Sequence, residues 1–293
     1  MGIGIVGLGL IGGSIAYDLA AQGTPALWGL SRNPQTCSRA QELGLVAEAA
    51  TDPKAIAPWA ETDLVIIATP LDRIVPSLER LVPFLSPNTV VTDVGSVKAP
   101  IVPAAQGLWI HFVGSHPMAG THESGLGAAR PGLFAQAPCV VTGEGAPLEA
   151  VERVVAFWHS LAMETLICSP QAHDQAVAWI SHLPVFASAG LLLACLGESD
   201  REIQRLAQRL ASSGFRDTSR VGGGNPELGC LMAAYNRAPL LRSLDTYLAV
   251  LQNVREAIAL GQESEILAAL HVAQQQRPAY RTLASPGDRL PSH

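Results

Sequence analysis

The sequence predicts an α/β protein in which a doubly wound, mainly parallel sheet is followed by an all-helical C-terminal domain. Three observations predict it. Short β-branched runs alternate with helical stretches through the first half, at residues 3–6, 26–30, 64–68, 89–93, 109–113, 139–142 and 165–168, as βαβ units require. The alternation stops at Cys168, where Ser169-Pro170 reads as a helix N-cap followed by proline at the first helical position. The 293 residues exceed the usual size of one core, so two domains are expected, 1–168 and 169–277, with an aperiodic, proline-containing tail at 278–293 expected to be poorly ordered.

The first run is followed by Gly7-Leu8-Gly9-Leu10-Ile11-Gly12 and then by a helix-like stretch at 14–21. Strand, G-x-G-x-x-G and helix in that order mark a Rossmann-like dinucleotide-binding domain. Gly7 permits the tight turn, Gly9 lets the backbone approach a pyrophosphate, and Gly12 allows close packing of the helix. The helix N-terminus, beginning near Leu10 and Ile11, offers N–H groups and a positive dipole end to the phosphates. The second run ends in Gly29-Leu30-Ser31-Arg32, where NAD enzymes of this fold carry Asp or Glu for the ribose 2′-hydroxyl. A hydroxyl beside a guanidinium suits a 2′-phosphate instead, so the expected cofactor is NADP, held by Ser31 and Arg32. The competing reading makes Arg32 an ordinary solvated loop residue.

In an open parallel sheet the reactive loops follow the carboxyl ends of the strands. Three such loops carry polar chemistry: Thr69-Pro70, Gly95-Ser96-Val97-Lys98 and His116-Pro117-Met118-Ala119-Gly120-Thr121. Pro117 holds His116 extended, and an imidazole there is an acid/base candidate near neutral pH, against the alternative of a histidine satisfied by loop backbone. Ser96 reads equally as a functional hydroxyl or a helix N-cap. His111, His116 and His122 lack metal-ligand spacing, and no metal is expected.

The helical half is expected as helices at 170–197, 200–212, 226–260 and 263–276, with Pro184 and Pro239 kinking or breaking two of them. His173 and His182 are nine residues apart, about 900° on a straight helix, so only one of them is expected to reach a given cleft. The glycine-rich connection 213–225 carries Arg216 and Arg220, which either pair with a substrate carboxylate or are ordinary surface charge.

Composition narrows the function classes. A formal net charge of -6, with 19 Lys and Arg scattered along the chain, offers no basic run for a nucleic acid. The five cysteines are widely separated, as reduced thiols in a reducing compartment would be. The chain enters its first strand at Ile3 without a basic leader, and the longest apolar stretch, 183–196, is too short for a bilayer and contains Pro184, Ser188 and Gly190. A cytoplasmic protein that is not membrane-bound, with 183–196 as a buried helix, is expected. With 48% hydrophobic and 15% charged residues, apolar helical surface is expected to be buried between subunits of a homo-oligomer.

Taken together, these motifs resemble the prephenate and arogenate dehydrogenase family of tyrosine biosynthesis. The resemblance runs over about residues 1–260 and rests on Gly7–Ser14, Asp93–Lys98, Gly114–Gly120, His173-Asp174-Gln175 with Ser181-His182-Leu183-Pro184, and Gly214–Arg220. It implies oxidative decarboxylation of a cyclohexadienol with hydride transfer to NADP, His116 accepting the hydroxyl hydrogen and Ser96 bonding that hydroxyl or the imidazole. It further implies Arg220 on a substrate carboxylate, His182 and Thr121 lining the substrate pocket with Arg216 a weaker candidate, Thr69 beside the cofactor, and a homodimer joined through the helical domain. Two positions depart from the family pattern. Val185 stands where prephenate-using relatives often carry histidine, which, with Ser31-Arg32, turns the expected substrate toward L-arogenate rather than prephenate. His122 stands where many relatives are acidic, although Glu123 follows it. A β-hydroxyacid dehydrogenase is the rival enzyme reading, but the catalytic lysine it needs is absent from 169–197. A non-catalytic NADPH-binding regulator would have no need of His116, Ser96 and Arg220 together.

Overall fold

A computed structural model describes residues 2–121 and 123–280. The expectations for His122 and for residues 281–293 of the tail lie outside them.

In chain order the sheet half comprises β1 (Gly2–Val6), α1 (Leu10–Ala21), β2 (Leu27–Leu30), α2 (Pro34–Glu42), β3 (Glu48–Ala50), β4 (Thr62–Ile67), α3 (Ile74–Leu81), β5 (Val90–Asp93), α4 (Ile101–Leu108), β6 (Phe112–Pro117), β7 (Pro138–Thr142), α5 (Leu148–Ser160) and β8 (Glu164–Ile167). The helical half adds α6 (Pro170–Val177), a π turn (Ala178–His182), α7 (Leu183–Leu196), α8 (Arg201–Leu210), α9 (Ser213–Ser219), α10 (Pro226–Tyr235), α11 (Arg237–Ala259) and α12 (Glu263–Gln276). The chain forms two compact units that divide between Arg237 and Ala238, so α6–α10 belong with the sheet.

The eight strands are ordered β3-β2-β1-β4-β5-β6-β7-β8, all neighbours parallel except the antiparallel β6–β7 pair. Because β1 pairs with β2 on one side and β4 on the other, the order reverses there, and the carboxyl ends of β1 and β4 form a crevice. Strands buried on both faces explain the continuous apolar runs: Leu64, Val65, Ile66 and Ile67 of β4 are all inaccessible. One apolar layer, with Ile15, Phe134, Val154 and Trp158, covers one face; the other, with Trp28, Ile74, Leu78, Val97 and Phe112, covers the opposite face. The fold is thus the expected doubly wound sheet followed by helices.

Local departures have local causes. β3, with sequence Glu-Ala-Ala and no β-branched residue, is an edge strand that sequence pattern alone misses. The run predicted at 109–113 is displaced: the strand is Phe112–Pro117, and His116 lies inside it, opposite Val140 of β7, rather than in the loop beyond. Proline is tolerated at the last residue of β6, and it hid the strand's true length. The glycine-rich connection is helical, forming α9 and a 3-10 turn at Val221–Gly223. Gly222 seats it on α7, since its N–H donates to Ser188 Oγ at 2.8 Å and a Cβ there would lie 2.3 Å from the Ala189 nitrogen. The expected 226–260 helix is broken at Asn236, three residues before Pro239.

Pro170–Leu196 forms one helical run of 27 residues. Its length and its mean hydropathy of 1.7 over the most apolar window are sufficient to cross a bilayer, which corrects the expectation drawn from 183–196 alone. Nor is 183–196 a buried helix within the chain. Ser188 is its one buried residue, while Leu193 and Leu196 are 66% and 62% exposed.

Candidate active site

The glycine turn is built as its sequence requires. Gly7 has φ of 102°, and a Cβ there would lie 2.5 Å from the Ala68 carbonyl oxygen and 3.0 Å from the Thr69 nitrogen, so no side chain fits. Gly12 packs just as closely, its hypothetical Cβ only 2.0 Å from the Gly7 oxygen. Gly9 differs: it is the N-cap of α1, and the space above it is open. Gly13 N–H donates to Gly9 O, so the preceding N–H groups of Leu10, Ile11 and Gly12 have no helical acceptor. Thr69, across the crevice, keeps a buried Oγ1 with no hydrogen-bond partner among the described residues. An open glycine, unused N–H groups and an orphaned hydroxyl at a topological switch point fit a dinucleotide pyrophosphate. At the end of β2, Ser31 Oγ accepts from Asn33 N–H, while Arg32 is exposed and makes no ion pair among the described residues.

Farther along the same edge, at the ends of β5 and β6, lies a buried polar cluster. Asp93 and Lys98 form an ion pair with both side chains inaccessible, and the ammonium also donates to the Ser115 carbonyl at 2.8 Å. Asp93 further accepts from the Gly95 and Ser115 N–H groups at 2.8 and 3.2 Å, which fixes the loop carrying Ser96 against β6. The charges are retained because each is hydrogen-bonded as well as paired. Ser96 is not a helix cap, since α4 begins only at Ile101, and its buried Oγ has no partner among the described residues.

His116 is 9% exposed, with Nδ1 2.9 Å from His173 Nε2. His173 Nδ1 lies 2.7 Å from Asp174 Oδ1, whose carboxylate also accepts from the Lys98 and Ala99 N–H groups, each at 2.8 Å. Burial, then the neighbouring His173, Lys98 and His182, holds the His116 pKa well below the usual imidazole value, so the ring is uncharged at neutral pH. His182 is fully buried as well; burial brings its pKa to about 4 despite the opposing influence of Asp174 and the Ser96 carbonyl. Asn236 joins the cluster, donating to the Asp174 carbonyl at 2.8 Å and lying 3.1 Å from His182 Nδ1.

His173 and His182 therefore both enter the cluster, against the expectation of one. The intervening π turn is the reason. It takes an additional residue per turn and under-rotates the chain by roughly one residue's 100°, which turns opposite faces into neighbouring ones. Arg216 and Arg220 are exposed on and just after α9, Arg216 pairing with its neighbour Asp217 at 3.3 Å. Thr121 Oγ1 accepts from Glu123 N–H in a local turn. Among the described residues neither arginine bonds to the histidine cluster. Asp93, Lys98, Asp174 and Asn236 were given no role by sequence reasoning, nor was His173. Among the described residues no group of three or more His, Cys, Asp or Glu is arranged to hold a metal ion.

Residues 15–165 match the family model for the prephenate dehydrogenase nucleotide-binding domain, and residues 169–272 match that for the prephenate dehydrogenase dimerization domain. The chain is 30% identical over 286 residues to a cyclohexadienyl dehydrogenase of Zymomonas mobilis, covering 96% of each protein. It is 30% identical over 257 residues to a prephenate dehydrogenase of Bacillus subtilis, covering 86% of this chain and 68% of that protein. Among solved structures, Synechocystis arogenate dehydrogenase is 46% identical with a TM-score of 0.83, covering 96% of this chain and 100% of that one. Aquifex aeolicus prephenate dehydrogenase, in complex with hydroxyphenyl propionate and NAD+, is 25% identical with a TM-score of 0.88, covering 96% and 99%. With both halves matched and likeness along nearly its whole length, the chain belongs to the prephenate dehydrogenase family of nucleotide-binding oxidoreductases.

Proposed function

We propose that this protein is an NADP-dependent arogenate dehydrogenase, converting L-arogenate to L-tyrosine by oxidative decarboxylation. The observation that carries the reading is an uncharged, buried imidazole, His116, at the same sheet edge as an open glycine turn, together with two buried polar atoms, Ser96 Oγ and His182 Nε2, that have no partner among the described residues. Buried polar atoms without partners are costly unless a ligand completes them.

The nicotinamide, when bound, supplies the acceptor for the hydride that leaves the carbinol carbon. His116 accepts a hydrogen bond from the hydroxyl as that C–H bond breaks, stabilising the positive charge that develops at carbon and oxygen. The electrons of the bond to the departing carboxylate pass into the ring, carbon dioxide leaves, and the oxygen remains as the phenol hydroxyl. Ser96 and His182 bond the hydroxyl and its surroundings, Thr121 lines the pocket, and Arg220, with Arg216 a weaker candidate, pairs with a substrate carboxylate. Gly7, Gly9, Leu10, Ile11, Gly12 and Thr69 hold the pyrophosphate. Ser31 and Arg32 hold the 2′-phosphate.

Arogenate is favoured by Val185, which cannot hydrogen-bond a side-chain ketone, and by the 46% identity to an arogenate dehydrogenase. Prephenate is the second reading, favoured by the likeness to the Bacillus enzyme. We further place the domain boundary at 168/169, with 169–277 a substrate and dimerisation domain, and take the protein to be a cytoplasmic homodimer that binds neither nucleic acid nor membrane. The match of 169–272 to a dimerization domain and the exposed leucines of α7 support the dimer. The deciding experiment supplies L-arogenate and prephenate separately with NADP and with NAD and follows absorbance of the reduced cofactor. Arogenate with NADP is expected to give the highest kcat/KM; prephenate as the better substrate, or equal rates with NAD, would refute the corresponding half of the reading.

A further inference from the structure

Three imidazoles reach the cluster, and hydrogen-bond logic fixes which nitrogen of each carries its hydrogen. A carboxylate can only accept, so His173 Nδ1, 2.7 Å from Asp174 Oδ1, is a donor. In a neutral ring that leaves His173 Nε2 as an acceptor, and His116 Nδ1, 2.9 Å away, must donate to it. His116 is left with a bare lone pair on Nε2. On the other branch a peptide carbonyl can only accept, so the Asn236 atom 2.8 Å from Asp174 O is the amide nitrogen. That nitrogen has only hydrogens to offer His182 Nδ1 at 3.1 Å, so His182 Nδ1 accepts and its hydrogen lies on Nε2, the atom without a partner.

We infer that Asp174 is a positioning residue that sets opposite tautomers on two histidines, through His173 to give His116 a bare Nε2 and through Asn236 to give His182 an Nε2–H. Resting on the reading of His116 given above, this assigns the cleft one imidazole acceptor and one imidazole donor, the complement of an alcohol that donates through hydrogen and accepts through oxygen. Asp174 can act in this way because its own position is fixed. Its two carboxylate oxygens take the Lys98 and Ala99 N–H groups of the loop that bears Ser96. In Asp174→Asn one carboxylate oxygen becomes NH2; an NH2 facing His173 would reverse both rings of that branch and place the hydrogen on His116 Nε2, the wrong-tautomer effect of amide replacement in a carboxylate–histidine pair.

The test has one arm independent of turnover. Imidazole 15N shifts of the full-length wild-type protein at neutral pH, assigned with His116→Asn and His182→Gln, are expected to report Nδ1–H for His116 and Nε2–H for His182. The reverse for either ring overturns the inference, whatever the activity. In the kinetic arm, Asp174→Asn is expected to lower kcat by about 10²-fold or more with KM changed less than about threefold. His173→Gln, which keeps an acceptor for His116, is expected to retain at least about tenfold more kcat than His173→Leu. Equal kcat for Gln and Leu at 173, or wild-type kcat in Asp174→Asn, overturns the positioning role. Full activity in His116→Asn would instead defeat the reading of His116 itself, so the two failures are distinguishable.

Discussion

The glycine turn after β1 and the cluster around His116 lie along one edge of one sheet, yet they are assembled in contrasting ways. The turn is made by removing side chains: at Gly7 and Gly12 a single Cβ would strike backbone, and at Gly9 the space is left open. The cluster is made by adding them: Asp93, Lys98, His116, His173, Asp174, His182 and Asn236 are all buried and mutually hydrogen-bonded. Where backbone groups bind, the sequence needs one contiguous stretch and tolerates no bulk. Where side chains bind, contributions come from β5 and the loop after it, β6, α6, the π turn and the residue between α10 and α11, and the tolerance for polarity errors is small.

Substitutions can break this contrast. The largest effect is expected for His116→Asn, which should lower kcat by about 10²–10⁴-fold while NADP affinity stays within about twofold, read by steady-state kinetics and cofactor titration. Next is stability in acid. His182, with a folded pKa of about 4 against 6.5 for an ordinary histidine, binds a proton in the unfolded chain but not in the folded one between those values. Its contribution is therefore complete above pH 6.5 and is lost as pH falls toward 4, by about 3 kcal/mol in total. Burial of His116 acts in the same direction. Denaturant midpoints should fall across that window, and a flat profile would contradict the buried, neutral state of both rings.

Arg220→Ala should raise KM for the substrate about 30-fold with less change in kcat, as loss of a charge-assisted carboxylate contact requires. Gly9→Ala sharpens the comparison, because the added methyl meets nothing in the protein. Thermal stability should be retained while NADP affinity drops about tenfold; equal affinity would mean the cofactor does not approach Gly9. An effect of the same size is expected at Arg32, whose change to Ala should narrow the NADP over NAD preference by about tenfold in kcat/KM.

The same contrast explains what the sequence disclosed. The parallel sheet was legible because doubly buried strands are written as apolar runs, and the glycine turn because its residues are adjacent. The edge strand β3 was not, because Glu48-Ala49-Ala50 has no pattern of its own and takes its strand conformation from pairing with β2. His116 was recognised as an acid/base candidate, but its place inside β6 was not, since the apolar run ended at Val113 and His116 was read as part of the loop beyond it. His173 and Asp174 stood in a family-like stretch without a role; adjacent histidine and aspartate soon after a Ser-Pro cap are the signal that marks them. Asn236 had no local signal, as its function comes only from being brought 2.8 Å from the Asp174 carbonyl, 62 residues away in sequence.

The π turn at Ala178–His182 makes the hydrogen-bond register of that segment as important as the identity of its residues. Closing the same residues into an uninterrupted α-helix would improve the local hydrogen bonding and would swing one end against the other by about 100°. His182 would then leave the cluster and the apolar stripe of α7 would face elsewhere, although every side chain in both had been kept. Along this helix, catalytic geometry and the orientation of the exposed leucines are set together by a local miscount in helical pitch.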